Sequence, residues 1–174
     1  MAKPDLSLVE DMVAPRVLSA MRTTSRLLTE LGVHHVVVGG LAVGANGYPR
    51  ATKDVDFLVG DDAFLTKAGG IVLLAPGIPF QVDGIAIDYL VAGADETHLR
   101  EALDDSFGDA LDAPRLIYMK LKANRLRDQL DVVELIKAGV DRDACRSYLE
   151  AHARDLVALF DKYARQAAAE QTNE

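Results

Sequence analysis

The chain has a single cysteine, Cys145, among 174 residues, so an internal disulfide framework is excluded. This cysteine usage predicts a reducing compartment, and the cytoplasm is the expected location. Cys145 has neither a glycine elbow nor a His-rich context around it, which favours a structural thiol over a nucleophile. Residues 1–5 lack the basic start and apolar core of a secretory signal.

Long apolar runs and an excess of positive charge are also missing. No stretch reaches the roughly 18 apolar residues that a membrane helix requires, so we expect no membrane partner. The net charge is −8, and a protein that holds nucleic acid over its whole surface is more often basic because phosphate contacts dominate that affinity. The composition therefore disfavours a general DNA-binding protein, while a local basic groove remains compatible with it.

Length and composition predict one compact unit. With 174 residues, 49% of them hydrophobic, the chain has the size of a single domain and enough apolar surface for a core. We predict an α/β (α+β) structure in which residues 1–112 form a core of one N-terminal helix and a small mixed β-sheet flanked by helices. Residues 113–174 are predicted to form a C-terminal helical bundle packed on that core.

Hydrophobic periodicity places the individual elements. The N-terminal pattern predicts a helix over 6–31, with a kink or fresh start at Pro15. Further patterns predict strands at 36–39, 54–59 and 71–74, helices at 41–47, 61–68 and 96–103, and a hairpin of 80–82 with 85–91 around Asp83-Gly84. The remainder is predicted as a polar loop over 104–113, a helix from Pro114 to about 132, helices ending near Gly139 and His152, a last helix around 156–163, and a loose tail over 165–174.

The stretch 36–59 carries the most informative pattern. A β-branched run leads into Gly39 and Gly40, and a later strand opens with Asp54 and Asp56. Glycines at a strand-to-helix turn let the backbone approach a ligand, and the free amides that follow suit phosphate. Residues two apart on a strand share a face, so the two aspartates point together and need a positive neighbour. Mg²⁺, which prefers hard oxygen ligands, is the candidate.

The segment Arg50-Ala51-Thr52-Lys53-Asp54-Val55-Asp56, following the double-glycine turn, resembles the nucleotidyltransferase superfamily, whose fold is shared with DNA polymerase β. This form of the DxD motif is similar to that of small bacterial proteins related to abortive-infection type IV toxins. The resemblance implies a nucleotidyltransferase fold and transfer of a nucleoside monophosphate from a nucleoside triphosphate (NTP) to an acceptor hydroxyl on RNA, protein or a small molecule, with one or two Mg²⁺ ions. Some relatives are toxins held by a partner, so an antitoxin-like partner is a further implication.

The resemblance also implies roles for single residues. Asp54, Asp56 and a third carboxylate on a later strand are the implied catalytic residues and metal ligands. Asp88, which stands among apolar neighbours in the predicted strand 85–91, is our candidate for the third, and a solvent-facing edge aspartate is the alternative. The implied substrate-binding residues on the N-terminal side are Gly39, Gly40, Arg50 and Thr52, the last two either orienting the aspartates or touching the nucleotide.

A lysine in a later helix is the implied triphosphate contact. Lys120 is our candidate, with Lys122 and Arg125 as substitutes if the helical phase differs. The alternative interpretation is a solvated basic face that pairs with Asp128 and Asp131. By the resemblance, these two aspartates have structural roles and are not metal ligands.

One departure from the family pattern keeps a second hypothesis open. Gly40 stands where many relatives have serine, so a hydroxyl contact to phosphate is absent. The alternative is a non-catalytic module of the same fold that binds nucleotide or a partner protein. A hydrolytic metalloenzyme has less support, because the sequence has no His-carboxylate cluster.

Overall fold

The residues that the structure describes, 3–104 and 107–172 of this computed structural model, form seven α-helices and seven strands. The helices are α1 Pro15–Glu30, α2 Gly39–Ala45, α3 Thr97–Arg100, α4 Ala113–Ala123, α5 Leu126–Lys137, α6 Arg142–His152 and α7 Arg154–Thr172. The strands are β1 His35–Val37, β2 Val55–Val59, β3 Phe64–Lys67, β4 Ile71–Leu74, β5 Gln81–Val82, β6 Ile85–Leu90 and β7 Phe107–Ala110. Short 3₁₀ turns cover Leu6–Val9, Asp61–Ala63 and Glu101–Leu103.

The main sheet has five strands in the order β5-β6-β2-β1-β7 over the described ranges. Strand β2 is parallel to β6 and antiparallel to β1, β1 is parallel to β7, and β5 is antiparallel to β6. Strands β3 and β4 form a separate antiparallel ribbon. The prediction of a small mixed sheet flanked by helices is thereby confirmed.

An apolar core lies on each face of the sheet's central strands, packed against its own helices. Side-chain alternation along the strands puts Val37 and Phe57 in one apolar core with α1 and the N-terminal 3₁₀ turn. Val36 and Leu58 point the other way, into a second core with α4, α5, α6 and α7. The C-terminal helices therefore cover the sheet face opposite α1. No helix within the described ranges is long and apolar enough to cross a membrane.

Several sequence predictions hold at the level of single elements. Pro15 opens α1 as its first residue, in keeping with a fresh start there. The β5–β6 hairpin turns at Asp83-Gly84, where both residues have positive φ. Asp141 caps α6, its side chain accepting a hydrogen bond from the Ala144 amide at 2.9 Å.

The predicted helix over 61–68 is wrong. After the 3₁₀ turn, residues 64–67 form β3 and pair with β4 across the turn at Gly69-Gly70. Both glycines have positive φ, +91° and +79°, which lets the chain reverse tightly between the two strands. The Gly-Gly pair is a hairpin turn here, and not the end of a helix.

The predicted polar loop and loose tail also need correction. Residues 107–110 form β7, because the free edge of β1 supplies a pairing partner, whereas residues 105 and 106 lie outside the described ranges. In the predicted tail, α7 continues to Thr172 and buries Ala167, with only 173 and 174 beyond the description. Packing against the second core keeps this segment helical.

The predicted helix from Pro114 to about 132 is interrupted. Asn124 adopts the left-handed conformation, with φ +47° and ψ +29°, and ends α4. Helix α5 then starts afresh at Leu126, with Asp128 accepting a hydrogen bond from the Arg125 amide at 3.3 Å. The break turns the basic segment into a corner between two helices, and this corner forms one edge of the site described next.

Candidate active site

The turn after β1 lies directly against a carboxylate of β2. Gly39 has φ +61°, and a Cβ at this position would lie 1.8 Å from Oδ2 of Asp56. The backbone of the same turn is tied to β2, because the amide of Val38 donates to the carbonyl oxygen of Asp56 at 2.9 Å. Only glycine fits at position 39, since it alone avoids both the strained φ and the collision.

Three carboxylates lie on or directly before two adjacent strands of the sheet, Asp56 on β2, Asp88 on β6 and Asp54 just before β2. Asp56 on β2 is in register with Asp88 on the parallel strand β6, and neighbouring strands are spaced about 4.8 Å apart, so the two side chains are neighbours on one face. Asp54 lies two residues before Asp56 and shares its face. This is the face of Leu58, which packs towards the C-terminal helices.

The electrostatic environment of Asp56 is unfavourable to its negative charge. Burial, followed by repulsion from Asp54 and Asp88, raises the pKa of the Asp56 carboxyl to about 6. Lys120 and Arg125 act in the opposite direction without offsetting these effects. The sheet side of the site therefore carries more negative charge than its surroundings neutralise.

A cavity of about 400 Å³ lies between this sheet face and the corner of α4 and α5. All eight residues singled out from the sequence line it: Gly39, Gly40, Arg50, Thr52, Asp54, Asp56, Asp88 and Lys120. Residues from four separate stretches of the chain are thus brought to one place. The structure tests their proximity, while their roles remain predictions.

Lys120 is held by two buried aspartates on α5. Its Nζ lies 2.9 Å from Oδ1 of Asp128 and 2.8 Å from Oδ2 of Asp131. All three side chains are nearly inaccessible, with exposed fractions of 8%, 2% and 1% respectively. Burial alone would raise the pKa of Asp128, but hydrogen bonds from Arg125 and Lys120 bring that pKa below its usual value. Lys120 therefore faces the cavity in a fixed position.

Arg50 links the loop before β2 to the same network. Its Nε and Nη2 donate to the two carboxylate oxygens of Asp131 at 2.7 and 2.8 Å. This forked pairing is the strong geometry for arginine and carboxylate. Asp131 thus joins Arg50 and Lys120, which matches the structural role expected of it.

The two substitutes for Lys120 differ in position. Arg125 lines the cavity, donates from Nε to Asp128 at 2.7 Å, and keeps 77% of its side chain exposed. Lys122 does not line this cavity and instead pairs with Glu96 at 2.7 Å. Of the two, only Arg125 adds a cation to the site, at its mouth.

The glycine at position 40 has a structural reason. A Cβ there would lie 2.8 Å from Oγ1 of Thr52 and 3.2 Å from Nη1 of Arg50. The Thr52 hydroxyl, which donates to Oδ1 of Asp54 at 2.9 Å, occupies the space that a serine side chain would need. The Thr52 hydroxyl, from the loop before β2, therefore lies where the hydroxyl of a serine at position 40 would be.

The donor set of this site fits a divalent cation that prefers oxygen. Asp56 is buried beside Asp54 and Asp88, and such a cation would neutralise the negative charge of these three carboxylates. Within residues 3–104 and 107–172, no three His, Cys, Asp or Glu side chains are arranged to hold a metal ion by themselves. Mg²⁺ is usually held by one or two carboxylates together with phosphate oxygens of the substrate, so a complete protein cage is not required.

Sequence reasoning missed several residues of the cavity wall. Arg127 lines it, and its Nη2 donates to the carbonyl oxygen of Ala51 at 3.3 Å. Leu116, Met119 and Ala123 form an apolar side contributed by α4. The signal for Arg127 is its place just after the α4–α5 break, which only the backbone conformation of Asn124 reveals.

Two other features, a cavity along α1 and the single cysteine, are weaker candidates for an active site. A cavity of about 520 Å³ runs along α1, but its charged side chains pair among themselves, Arg22 with Glu10 at 2.7 Å and Arg26 with Glu30 at 2.8 Å. Cys145 is fully buried, and burial raises the pKa of its thiol to about 12, as expected of a structural cysteine. We therefore place the candidate active site at the three aspartates.

The likeness to nucleotidyltransferases is carried by the motif 50–56, the double-glycine turn and the third aspartate on β6. All of these meet at one cavity. A scan of the chain against protein-family models found no match, and a search among curated proteins found none either.

Proposed function

We propose that this protein is a Mg²⁺-dependent nucleotidyltransferase with a DNA polymerase β-like fold, which moves a nucleoside monophosphate from an NTP to an acceptor hydroxyl in the cytoplasm. The observation that carries the proposal is the separation of acidic and basic side chains on different walls of the cavity. Its sheet wall presents Asp54, Asp56 and Asp88, whereas its other walls present Arg50, Lys120, Arg125 and Arg127. A metal-bound triphosphate needs acidic groups for the cation and basic groups for the phosphates, on opposite sides.

The three carboxylates are the proposed metal ligands. Asp54 and Asp56 would hold Mg²⁺, and Asp88 would complete the site on the β6 side. The bound ion would supply charge neutralisation for the attacking and leaving oxygens of an in-line displacement. Thr52 keeps Oδ1 of Asp54 in place through its 2.9 Å hydrogen bond and leaves the second oxygen for a ligand.

The β- and γ-phosphates are assigned to the side of the glycine turn. Gly39 and Gly40 add no side chain of their own to this turn, and the Asp56 carboxylate and the Thr52 hydroxyl lie against them. Lys120 is held in place by Asp128 and Asp131, and Arg125 and Arg127 stand at the cavity wall. These groups compensate charge without having to reorganise during the reaction.

Asp88 is assigned to the acceptor hydroxyl. In the sheet order β6-β2-β1, the glycine turn follows β1 and Asp88 lies on β6, so β2 with its two aspartates stands between them. An in-line displacement requires the leaving pyrophosphate and the attacking oxygen on opposite sides of the phosphorus. With pyrophosphate at the glycine turn, the acceptor oxygen approaches from Asp88, which takes up its proton.

Replacing either aspartate of the DxD motif tests the proposal. We expect Asp54→Asn and Asp56→Asn to lower Mg²⁺-dependent transfer of α-phosphate label at least about a hundredfold, since a lost transition-state interaction of about 3 kcal/mol has that effect. Label is followed in cell extract with each of the four NTPs, and the products are separated into RNA, protein and small molecules. Asp62→Asn, an exposed aspartate away from the cavity, is the control. Transfer at the wild-type rate by Asp54→Asn would refute the assignment.

A toxin-type role with an antitoxin-like partner belongs to the same proposal, and it follows from the motif alone. Labelled cellular RNA or protein is then the expected product of the fractionation. A label confined to small molecules would contradict the toxin-type role and leave nucleotidyl transfer standing.

A non-catalytic nucleotide- or partner-binding module is the second candidate. The observation that favours it is the engagement of Lys120, whose ammonium already has two carboxylate partners at 2.9 and 2.8 Å. Calorimetry separates the two candidates. Binding of Mg²⁺-NTP without release of pyrophosphate in any extract supports the module, and release of pyrophosphate supports the enzyme.

A further inference from the structure

A smaller cavity adjoins the candidate active site. It has a volume of about 210 Å³, and three side chains, Leu90, Met119 and Ala123, line both cavities. We call this smaller cavity the annex. Its sheet side is formed by Leu58 and Leu90, which follow the metal-facing aspartates of β2 and β6 by two residues on the same face.

The position of the annex relative to the three aspartates suggests what it holds. The glycine turn, Asp56 and Asp88 follow one another across the strands, and the proposed displacement runs along that line. In an in-line displacement both ends of this line are taken by the leaving and attacking oxygens. The nucleoside, which stays bonded to the phosphorus, must therefore extend away from this line. The annex lies off this line, further along β2 and β6.

The lining of the annex suits a flat aromatic ring. Most of it is apolar, and Met119 is an unbranched side chain that adapts to the face of a ring. Small-molecule sites typically combine such walls with few polar groups that fix orientation. Here the polar groups are Glu96 and Lys122, which pair with each other at 2.7 Å.

The polar end of the annex is a hydrogen-bond donor. Both oxygens of Glu96 already accept, Oε1 from Tyr118 at 2.6 Å and from Lys122 at 2.7 Å, and Oε2 from the Gly93 amide at 2.6 Å. The ammonium of Lys122 has three protons, and the bond to Glu96 uses one of them. Lys122 therefore offers donors, and no acceptor, to whatever enters.

We propose that the annex binds the nucleobase of the NTP and that Lys122 selects bases with an exocyclic carbonyl oxygen. This inference rests on the proposed function. Guanine, uracil and cytosine each carry such an oxygen, whereas adenine has no exocyclic carbonyl and carries an exocyclic amino group. The ammonium of Lys122 donates to a carbonyl oxygen, which is a stronger acceptor than the ring nitrogens that adenine offers. ATP is accordingly the weakest binder of the four NTPs.

Binding measurements on the intact protein test the inference. Calorimetry with Mg²⁺ compares the four NTPs with inorganic tripolyphosphate, which has the phosphates and no base. Wild-type protein is expected to bind GTP, UTP and CTP at least about tenfold more tightly than tripolyphosphate. Val91→Asn, a neutral change on the annex wall at a side chain that is 43% exposed, should weaken the NTPs about fivefold and leave tripolyphosphate unchanged. Val72→Asn on β4 is the matched control, at 59% exposure and outside the annex.

A second variant examines selection by itself. Lys122→Met removes the donor and keeps the apolar stem, so ATP should come within about twofold of the other three NTPs. A wild-type preference for ATP would overturn the assignment of Lys122. If Val91→Asn lowers the affinity for NTPs and for tripolyphosphate equally, or changes neither, the annex is not the base site. If wild-type protein binds tripolyphosphate as tightly as NTPs, the inference fails and the proposed function stands; if it binds neither, both fail.

Discussion

At the scale of single residues, Asp56 is the group whose surroundings set the chemistry. It is buried beside two further carboxylates, and its pKa rises to about 6 for that reason. Its neighbour across the turn is the backbone of Gly39, which brings no counter-charge. The carboxylate is therefore ionised at neutral pH at a cost in stability, and a bound cation would recover that cost.

This cost predicts a pH-dependent effect of Asp56→Asn on stability. Since the pKa in the folded chain lies above the ordinary value of 3.8, the folded state becomes less stable relative to the unfolded state as pH rises through about 6. Without Mg²⁺, we expect the variant to be more stable than wild type at pH 8, by about 2 kcal/mol, and equal to it at pH 4. Thermal unfolding at the two pH values measures this. The same stability difference at both would show that charge on Asp56 is not its source.

Metal linkage gives the complementary half of this measurement. Addition of Mg²⁺ at pH 8 should raise the unfolding temperature of wild type more than that of Asp56→Asn, because the variant keeps Asp54 and Asp88 but lacks the buried carboxylate that gains most from the cation. Asp62→Asn, an exposed control, should respond as wild type does.

At the scale of elements, the corner between α4 and α5 is fixed by buried charge. Asp131 receives Arg50 from the loop before β2 and Lys120 from α4, so one carboxylate on α5 joins three parts of the chain. The neighbouring Asp128 binds Lys120 and Arg125. Lys120 and Asp131 are buried, and removing one partner would leave the others without compensation.

Removal of Asp131 should therefore be costly. We expect Asp131→Ala to lower the free energy of unfolding by roughly 3–5 kcal/mol, because Arg50 loses its carboxylate partner and the buried Lys120 loses one of its two. The matched control is Asp161→Ala, which breaks a surface pair with Arg146 at 3.2 Å and should cost less than about 1 kcal/mol. Urea unfolding followed by circular dichroism measures both. Similar losses in the two variants would contradict a buried network that supports the corner.

The elements also show how far sequence reasoning reached. Periodicity and punctuation located α1, α2, β2 and the β5–β6 hairpin, because in these segments local pattern and tertiary environment agree. The strand β7, Phe107-Gly108-Asp109-Ala110, has no strand pattern of its own and forms because β1 has a free edge. The same limit applies to Asn124, whose left-handed conformation separates α4 from α5 and gives no periodic signal.

The candidate site was predicted residue by residue, yet its supporting contacts were not. The DxD spacing alone places Asp54 and Asp56 on one face, and a charged residue in an apolar strand marks Asp88. The pairing of Lys120 with two aspartates, by contrast, depends on how α4 meets α5. Contacts between elements distant in sequence have no local signature, which is why the network and the annex emerge only from the fold.

At the scale of the whole molecule, one sheet separates two apolar cores. The core on the side of α4–α7 includes Val36 and Leu58 from the sheet together with Leu116 and Phe160 from the helices. Neither set of residues can bury its apolar surface without the other. We therefore expect the chain to unfold in a single cooperative transition that includes α6 and α7.

Cys145 on α6 reports on this cooperativity. It is fully buried in the core of the C-terminal helices, and burial raises the pKa of its thiol to about 12, so the native protein should not react with a thiol reagent. Reaction should occur only through global opening, with a free energy equal to that of urea unfolding. The rate of reaction with a chromogenic disulfide across urea concentrations measures this. Fast labelling in native buffer would show that the helices open independently of the sheet.

The tight contact at Gly39 has a consequence for how this sequence can diverge. Two separate constraints favour glycine at this position: the φ angle of +61°, and the Asp56 carboxylate, which would lie 1.8 Å from any Cβ. A substitution at position 56 removes the second constraint and leaves the first. Where a descendant keeps aspartate at 56, we expect glycine to be invariant at 39. Where a descendant has lost that acid, and with it the proposed chemistry, asparagine becomes tolerable at 39, because only the angle still has to be met. Drift at position 39 would thus mark the lineages in which the site has been abandoned.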